Sequence, residues 1–186
     1  MAETKFLYSE KYTIEVWKNW TDPWELISGF PYCLVGARDF QHQNTAGLIL
    51  AEIIFQLKSC GKCKAVMPID WQIDEQTVVQ PDILVLCKPV TEKRLFQIPV
   101  CLFEILSPST QRKDRTVKFE LYQNQGVKYY VMVDPETKTT EAFQLGENGK
   151  YVPMISEPVL CFDFEGCKVE LNITDLLASI TLSQQF

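Results

Sequence analysis

The sequence predicts one α/β or α+β domain with a central sheet. Continuously apolar runs at 82–87 and 100–106 are typical of central strands covered on both faces. Apolar residues at helical spacing across 46–57 predict a long helix earlier in the chain. After the second apolar run, a helical segment and another buried strand follow, so strand, helix and strand alternate. No internal repeat or change of composition marks a second domain, and we expect residues 1–186 to form a single one.

Size and composition narrow the class of protein. The chain has 186 residues, 46% of them apolar, which is enough for one globular core. No apolar run approaches the roughly 20 residues of a membrane span. The N-terminal residues lack a basic segment followed by an apolar stretch, so no secretion signal is evident. We therefore expect a cytoplasmic protein without membrane association.

The first third of the chain predicts a hairpin followed by a helix. The N-terminal region has no clear period and is expected to include a short helix, while residues 12–17 fit a strand or a helix. Residues 24–29 resemble a strand that ends in a tight turn, and residues 32–35 would complete a hairpin. The amphipathic helix is expected over 39–58, with Gly61 marking its exit.

The middle of the chain predicts strands on both sides of a helix. Imperfect alternation predicts one strand over 65–73, in which Pro68 favours an edge position or a bulge. After the two apolar runs, a helix is expected over 114–125, closed by Gly126. A buried strand then follows over 127–133.

The C-terminal part predicts shorter elements. Asn148-Gly149 is a strong hairpin signal, and a short terminal helix is expected to begin near Thr174. Three strands are expected, at 139–145, 151–155 and 167–171.

Cysteines offer a weaker signal. Cys60 and Cys63 form a C-x-x-C, which fits half of a zinc site or a redox pair. The other half is not evident, since Cys167 stands alone and His42 is the only histidine, so we favour a structural role or chance. The remaining cysteines lie among apolar neighbours and are expected to be small core residues: Cys33, Cys87, Cys101 and Cys161.

Charge restricts the possible partners. The net charge of −6 argues against a protein that coats nucleic acid. It does not exclude a nuclease, because acidic residues that hold metal ions contribute to the negative charge. Any DNA-binding face must then be local, and the basic clusters at 88–94 and 112–115 are more commonly solvated surface.

Two carboxylates interrupt the apolar strands. Strand geometry places Glu104 on one face with Leu102 and Leu106, where it is the lone charge. Asp82, preceded by Pro81, opens the neighbouring apolar run. If these strands pair, the carboxylates approach closely and repel, unless a cation such as Mg²⁺ or Mn²⁺ lies between them.

The helix that follows brings a lysine to the same region. Asp114, Lys118 and Tyr122 are spaced by four residues and share one stripe. A lysine facing a phosphate could orient the nucleophile and offset developing charge. An ordinary exposed ion pair between Asp114 and Lys118 explains the spacing equally well, and from these residues alone it is the more common case.

Five segments together resemble the Uma family. They are WELISG (24–29), PDILVL (81–86), FEILSPST (103–110), DRTVKFELY (114–122) and GVKYYVMVDP (126–135). The resemblance covers about residues 24–136. It implies the PD-(D/E)XK or restriction-endonuclease-like fold, a mixed central sheet flanked by helices, here with added β-hairpins. Ser28 departs from the usual aspartate of the first segment, and residues 128–130 only approximate a further family motif.

The resemblance also implies roles for individual residues. Asp82 and Glu104 would be the metal ligands of a Mg²⁺- or Mn²⁺-dependent endonuclease. Leu106 occupies the position of the usual lysine, and Lys118 on the following helix would replace it. Glu25 matches a further acidic position and would complete the metal shell. The second-tier candidates are His42, Asp114 and Tyr122.

Three functions follow from these expectations. The first is a metal-dependent endodeoxyribonuclease that acts on DNA, as a homodimer by resemblance to nucleases of this fold. The second is a non-catalytic nuclease-fold protein for DNA binding or assembly, which the low basicity favours. The third is a carboxylate-pair hydrolase with another substrate, such as a glycosidase. The set of Asp82, Glu104 and Lys118 favours the first.

Overall fold

The structure is a computed structural model that describes residues 10–34, 39–155 and 159–182, with side chains of the last helix described up to 178. Val35, the predicted end of the second strand, and the first nine residues lie outside the described part. The helices are α1 (Ile14–Trp17), α2 (Phe40–Leu57), α3 (Gln111–Lys113), α4 (Phe119–Gln125) and α5 (Ile173–Leu182). A π-helical turn, Asp114–Lys118, joins α3 to α4.

The described part contains twelve strands. They are β1 (Trp24–Ile27), β2 (Phe30–Cys33), β3 (Lys64–Val66), β4 (Trp71–Asp74), β5 (Thr77–Val79), β6 (Ile83–Leu86), β7 (Cys101–Ile105), β8 (Tyr129–Asp134), β9 (Thr139–Leu145), β10 (Tyr151–Pro153), β11 (Leu160–Phe164) and β12 (Cys167–Leu171). None of the helices in the described ranges is long and apolar enough to cross a membrane.

A six-stranded mixed sheet forms the centre, in the order β10-β9-β8-β7-β6-β3. β7 and β8 run parallel, joined through α3 and α4, with Phe103 opposite Val131. The other neighbouring pairs in this sheet are antiparallel. A four-stranded sheet has the order β2-β1-β5-β4, and β11 and β12 form a separate hairpin.

Each face of the central sheet covers its own core. On the first, the α2 face, Phe103 and Val131 pack with Ile49 of α2 and with the β11–β12 hairpin. On the second, the α4 face, Leu102 and Tyr130 pack with α4 and with the four-stranded sheet. β7 is buried along its whole length, as the continuous apolar run predicts.

The strand expected over 65–73 is wrong. The chain forms β3 and β4 instead, which belong to different sheets. Pro68 lies between the two strands. Proline is tolerated there because no backbone N–H is needed for pairing with a neighbouring strand. β5 and β11 were not predicted, because segments of three to five residues give little periodicity.

The first hairpin turns two residues earlier than expected. β2 spans Phe30–Cys33, and the segment that fits a strand or a helix forms the short helix α1 over its last four residues, Ile14–Trp17. Ser28 and Gly29 form the two-residue turn with φ of 52° and 84°. A Cβ on Gly29 would lie 2.9 Å from the Cβ of Lys11, so the position requires glycine.

The cysteines pair across long stretches of chain. Disulfides join Cys60 to Cys167 and Cys63 to Cys87. The expectations that Cys167 stands alone and that Cys87 is a simple core residue are therefore wrong. Cys101 is buried as expected, whereas Cys33 and Cys161 are exposed.

Candidate active site

Asp82 and Glu104 meet because β6 and β7 pair. Ile83 lies opposite Phe103 in an antiparallel register, which places the preceding Asp82 beside Glu104. The Oδ2 atom of Asp82 accepts a hydrogen bond of 2.9 Å from the backbone N–H of Ile105. Asp82 and Glu104 are only 8% and 3% exposed, so both carboxylates lie inside the protein.

Lys118 lies at the centre of the site. Its Nζ atom is 2.8 Å from Oε1 of Glu104 and 2.8 Å from Oε1 of Glu25. Oδ1 of Asp114 is 3.7 Å away. Lys118 is 2% exposed, so it is not half of an ordinary surface ion pair, the case that spacing alone favoured.

The π-helical turn places Asp114 and Lys118. These residues begin and end the turn, and both are buried. π-helical turns are rare and occur frequently at functional sites. The turn continues into α4, where the hydroxyl of Tyr122 donates a 2.8 Å hydrogen bond to Oε1 of Glu104. The stripe of Asp114, Lys118 and Tyr122 thus faces the two carboxylates.

Glu25 reaches the site from β1 with both carboxylate oxygens engaged. Its Oε1 atom accepts from the backbone N–H of Gln80 at 2.9 Å as well as from Lys118. Its Oε2 atom accepts from Lys113, whose ammonium also lies 5.5 Å from the centre of the Tyr32 ring. Glu25 therefore fixes two lysines.

Lys113 and Tyr130 belong to the site but were not predicted. Lys113 belongs to the 112–115 cluster that fits solvated surface, and no local spacing shows that it reaches Glu25 88 positions away in sequence. Tyr130 lies in β8, and its hydroxyl donates a 3.0 Å hydrogen bond to the carbonyl of Asp114. An aromatic residue in a buried strand is ordinarily a core residue, so the sequence offered no signal for this contact.

His42 joins the site from the first turn of α2. The side chain of Asp39 caps that helix by accepting from the His42 N–H at 2.9 Å. His42 Nε2 lies 3.2 Å from Oδ2 of Asp82, and the ring is buried. Its Nδ1 atom has no hydrogen-bond partner, so one polar atom of the site is left unsatisfied.

Burial and charge shift the titration of these groups. Burial raises the pKa of Glu104 to about 8, although Lys118 opposes the shift. The pKa of Asp114 is also raised, mainly by burial. Burial favours the neutral form of Glu25 too, but Lys118 and Lys113 outweigh it and lower the pKa of that carboxyl. Burial disfavours the charged form of Lys118, yet Glu104, Glu25 and Asp114 raise its pKa well above the ordinary value.

The donor set fits a divalent cation with oxygen ligands. The site contains four carboxylates and two ammonium groups, so it carries two negative charges in excess once every carboxylate is ionised, as metal ligation requires. Oδ1 of Asp114 has no hydrogen-bond donor, and a cavity of about 20 Å³ between Asp82, Glu104 and Asp114 has room for one small ion or water. Mg²⁺ is commonly held by one or two carboxylates and its own waters. Within the described residues, no three His, Cys, Asp or Glu side chains already surround one metal position.

A larger cavity lies away from these carboxylates. It has a volume of about 430 Å³ and is lined by residues around α1 and the first hairpin, among them Tyr12, Trp20 and Trp24. It contains no cluster of charged side chains. Volume alone therefore does not identify the candidate site, and the buried charges do.

A family model matches most of the chain. Residues 10–161 match a family model described as "Uma2: Putative restriction endonuclease". The chain belongs to the Uma2 family. The matched range is wider than the segments that carry the resemblance in the sequence and includes every residue of the candidate site.

A solved structure shares the fold. It is described as a "putative nuclease belonging to DUF820" from Anabaena variabilis, and it is 16% identical to this Uma2 chain with a TM-score of 0.73. The match covers 90% of this chain and 98% of that one. The fold is restriction-endonuclease-like, with a mixed sheet flanked by helices, as predicted. No curated protein matches the chain.

Proposed function

We propose that this Uma2 protein is a divalent-metal-dependent nuclease that hydrolyses phosphodiester bonds of DNA. The observation that carries the proposal is the buried cluster of Asp82, Glu104 and Lys118, since two adjacent carboxylates with a lysine match the chemistry of such enzymes. Family membership and the nuclease description of the structural neighbour support the same class. A homodimer is part of the proposal.

Asp82 and Glu104 would hold Mg²⁺ or Mn²⁺. A divalent ion bound there would lower the pKa of a water molecule and stabilise negative charge on the phosphate. The Ile105 N–H and His42 orient Asp82, while Tyr122 orients Glu104. These contacts keep two repelling carboxylates at fixed positions in a buried site.

Lys118 would stabilise and orient charge rather than accept a proton. Its pKa is raised well above the ordinary value by Glu104, Glu25 and Asp114, against the effect of burial. It therefore stays protonated at neutral pH and cannot be the general base. An ammonium group held by several carboxylates is suited to orienting a phosphate oxygen or a water.

The main role of Glu25 and Asp114 would be to hold the ammonium group of Lys118 in position. Both oxygens of Glu25 already accept hydrogen bonds, so this geometry favours a positioning role over the metal ligation expected from resemblance. Asp114 keeps one oxygen without a donor and remains a candidate third ligand.

A plasmid-nicking assay tests the proposal. Supercoiled DNA is incubated with wild-type protein and Mg²⁺ or Mn²⁺, and then with Asp82→Asn, Glu104→Gln and Lys118→Met. We expect metal-dependent nicking by the wild type and a loss of at least about 100-fold in each variant, because each removes transition-state stabilisation. Glu120→Gln, an exposed carboxylate on α4, is the matched control and should keep full activity.

The non-catalytic alternative gives a different pattern. The net charge of −6 and the engagement of both Lys113 and Lys118 by carboxylates favour it over nucleases with basic clefts. It predicts metal binding and a DNA mobility shift without nicking. Nicking that persists in both carboxylate variants would contradict the proposed site.

A further inference from the structure

Four cysteines lie at one end of the core on the α2 face. Cys60 and Cys63 flank the turn that follows α2, Cys87 follows β6, and Cys167 opens β12. Cys63 and Cys167 are 3% and 2% exposed, and the other two are partly buried. The proposed nuclease chemistry uses none of them.

The two cysteine pairs both lie near Phe164, the last residue of β11. The Cα atoms are 5.6 Å apart for Cys60 and Cys167, and 4.0 Å apart for Cys63 and Cys87. The Sγ atoms of Cys63 and Cys87 lie 3.3 and 3.8 Å from the carbonyl oxygen of Phe164. Phe164 pairs directly with Cys167, and such partners have Cα atoms about 5 Å apart. Both cysteine pairs therefore lie beside the turn that joins β11 to β12.

The local backbone suits a metal knuckle. Cys60 and Cys63 have the C-x-x-C spacing, and Gly61 between them has a φ of +68°, a conformation that glycine adopts without strain. The N–H groups of Cys60 and Gly61 both donate to the carbonyl of Leu57 at the end of α2. Cys87 follows the end of β6, and Cys167 follows the tight turn between β11 and β12.

Charges around the thiols match a zinc–thiolate centre. Zn²⁺ with four thiolates carries a net charge of −2, which nearby cations stabilise. Four exposed lysines are close to these cysteines in sequence. Lys62 lies between Cys60 and Cys63, and the residue after Cys63, Cys87 and Cys167 is in each case a lysine: Lys64, Lys88 and Lys168. The segments that carry the cysteines therefore also carry positive charge.

We propose that the reduced form of the protein binds one Zn²⁺ through Cys60, Cys63, Cys87 and Cys167. Reduction by a phosphine converts each disulfide to two thiols, with water supplying the oxygen of the phosphine oxide and the two thiol protons. Each thiol then loses its proton as it binds the metal. A sulfur in a disulfide cannot supply the thiolate that binds zinc, so oxidation and zinc binding exclude one another.

Cobalt substitution tests the proposal on the intact chain. Protein reduced with a phosphine under anaerobic conditions is titrated with Co²⁺, and we expect one equivalent with thiolate-to-cobalt charge transfer and tetrahedral d–d bands. Cobalt at the carboxylate site would give no thiolate charge transfer, so the two sites are distinguishable. Zn²⁺ should displace the cobalt and bleach the spectrum.

Alkylation mapping needs no variant that could fail to fold. In reduced protein, Zn²⁺ should protect the four named cysteines from iodoacetamide while the exposed Cys161 still reacts. Loss of a residue that only hydrogen-bonds to a metal ligand lowers metal affinity roughly 10- to 100-fold. Cys87→Ser and Cys167→Ser remove a ligand and should lower zinc affinity by more than that, whereas Cys161→Ser should leave it unchanged. Absence of the charge-transfer band, or alkylation of the four cysteines that is the same with and without Zn²⁺ in the wild-type protein, would overturn the proposal.

Discussion

On the α2 face of the central sheet, Phe103 and Val131 pack among apolar side chains, whereas on the α4 face Glu104 of the same strand lies between Lys118 and Tyr122. Alternation along β7 produces both environments from neighbouring residues. The first stabilises the protein through burial of apolar area. The second holds charges that are costly to bury unless they are paired. The difference shows that one strand can contribute to the apolar core on one side and to a buried charged cluster, the proposed active site, on the other.

Among substitutions on the two faces, replacement of Lys118 should lower the free energy of unfolding most. Lys118→Met leaves Glu104, Glu25 and Asp114 without their shared cation, and loss of one partner of a buried ion pair costs about 3 to 5 kcal/mol. Denaturant unfolding in the presence of a chelator measures the change. The double variant Lys118→Met/Glu104→Gln should recover part of the loss.

The matched control for that experiment is Lys128→Met. Lys128 makes an exposed hydrogen bond to the carbonyl of Asp163, so its replacement should change the free energy of unfolding by no more than about 0.5 kcal/mol. Equal effects at Lys118 and Lys128 would show that the buried charges do not depend on Lys118.

A core substitution on the α2 face tests the other side of the comparison. Ile49 is fully buried on α2, and Ile49→Ala should lower the free energy of unfolding by about 2 to 5 kcal/mol, through lost burial and the cavity left behind. Mn²⁺ affinity should not change in the folded variant. A selective loss of metal affinity would mean that the two faces are coupled.

The pH dependence of stability should identify Glu104. Burial raises its pKa to about 8 in the folded protein, against an ordinary value of 4.5, so the folded state binds the extra proton between these limits. Stability in chelator should therefore fall as pH rises from about 5 to 8, by up to about 1.4 kcal/mol per pH unit. The raised pKa of Asp114 adds in the same direction. The free energy of unfolding, measured with urea across this range, should fall less steeply with pH in Glu104→Gln than in the wild type. An equally steep fall in both proteins would contradict the assignment.

The smallest effect is expected at a surface ion pair. Arg115 lies 2.7 Å from Glu141, and both side chains are about one-third exposed. Arg115→Ala should cost no more than about 1 kcal/mol, because solvent screens such pairs. Thermal unfolding measures this change, and nicking should continue at the wild-type rate. Loss of nicking here would place DNA contacts outside the carboxylate cluster.

Features that depend on local pattern could be predicted from the sequence. The 18 residues of α2 and the buried strands β6, β7 and β8 follow from periodicity and apolar runs. The proximity of Asp82 to Glu104 required only that two adjacent strands pair. The spacing of Asp114, Lys118 and Tyr122 also gave their common face, because a single π-helical turn keeps them on one side of the helix.

Features that depend on distant contacts could not be predicted. The contact of Lys113 with Glu25 joins positions 88 residues apart, and the Cys60–Cys167 disulfide joins positions 107 apart. Neither leaves a periodic signal. The break at Pro68 is a further case, since the change from one sheet to another is a choice of tertiary structure that local propensity does not determine.

Mn²⁺ titration calorimetry on wild-type protein and Asp82→Asn tests the central claim most directly, because it measures the site without requiring the correct DNA. The cysteines are kept oxidised so that thiols do not contribute. We expect the wild type to bind one equivalent of Mn²⁺ and the folded Asp82→Asn variant to lose that binding. A wild-type protein that binds no metal, or a variant that binds it equally well, would contradict the claim.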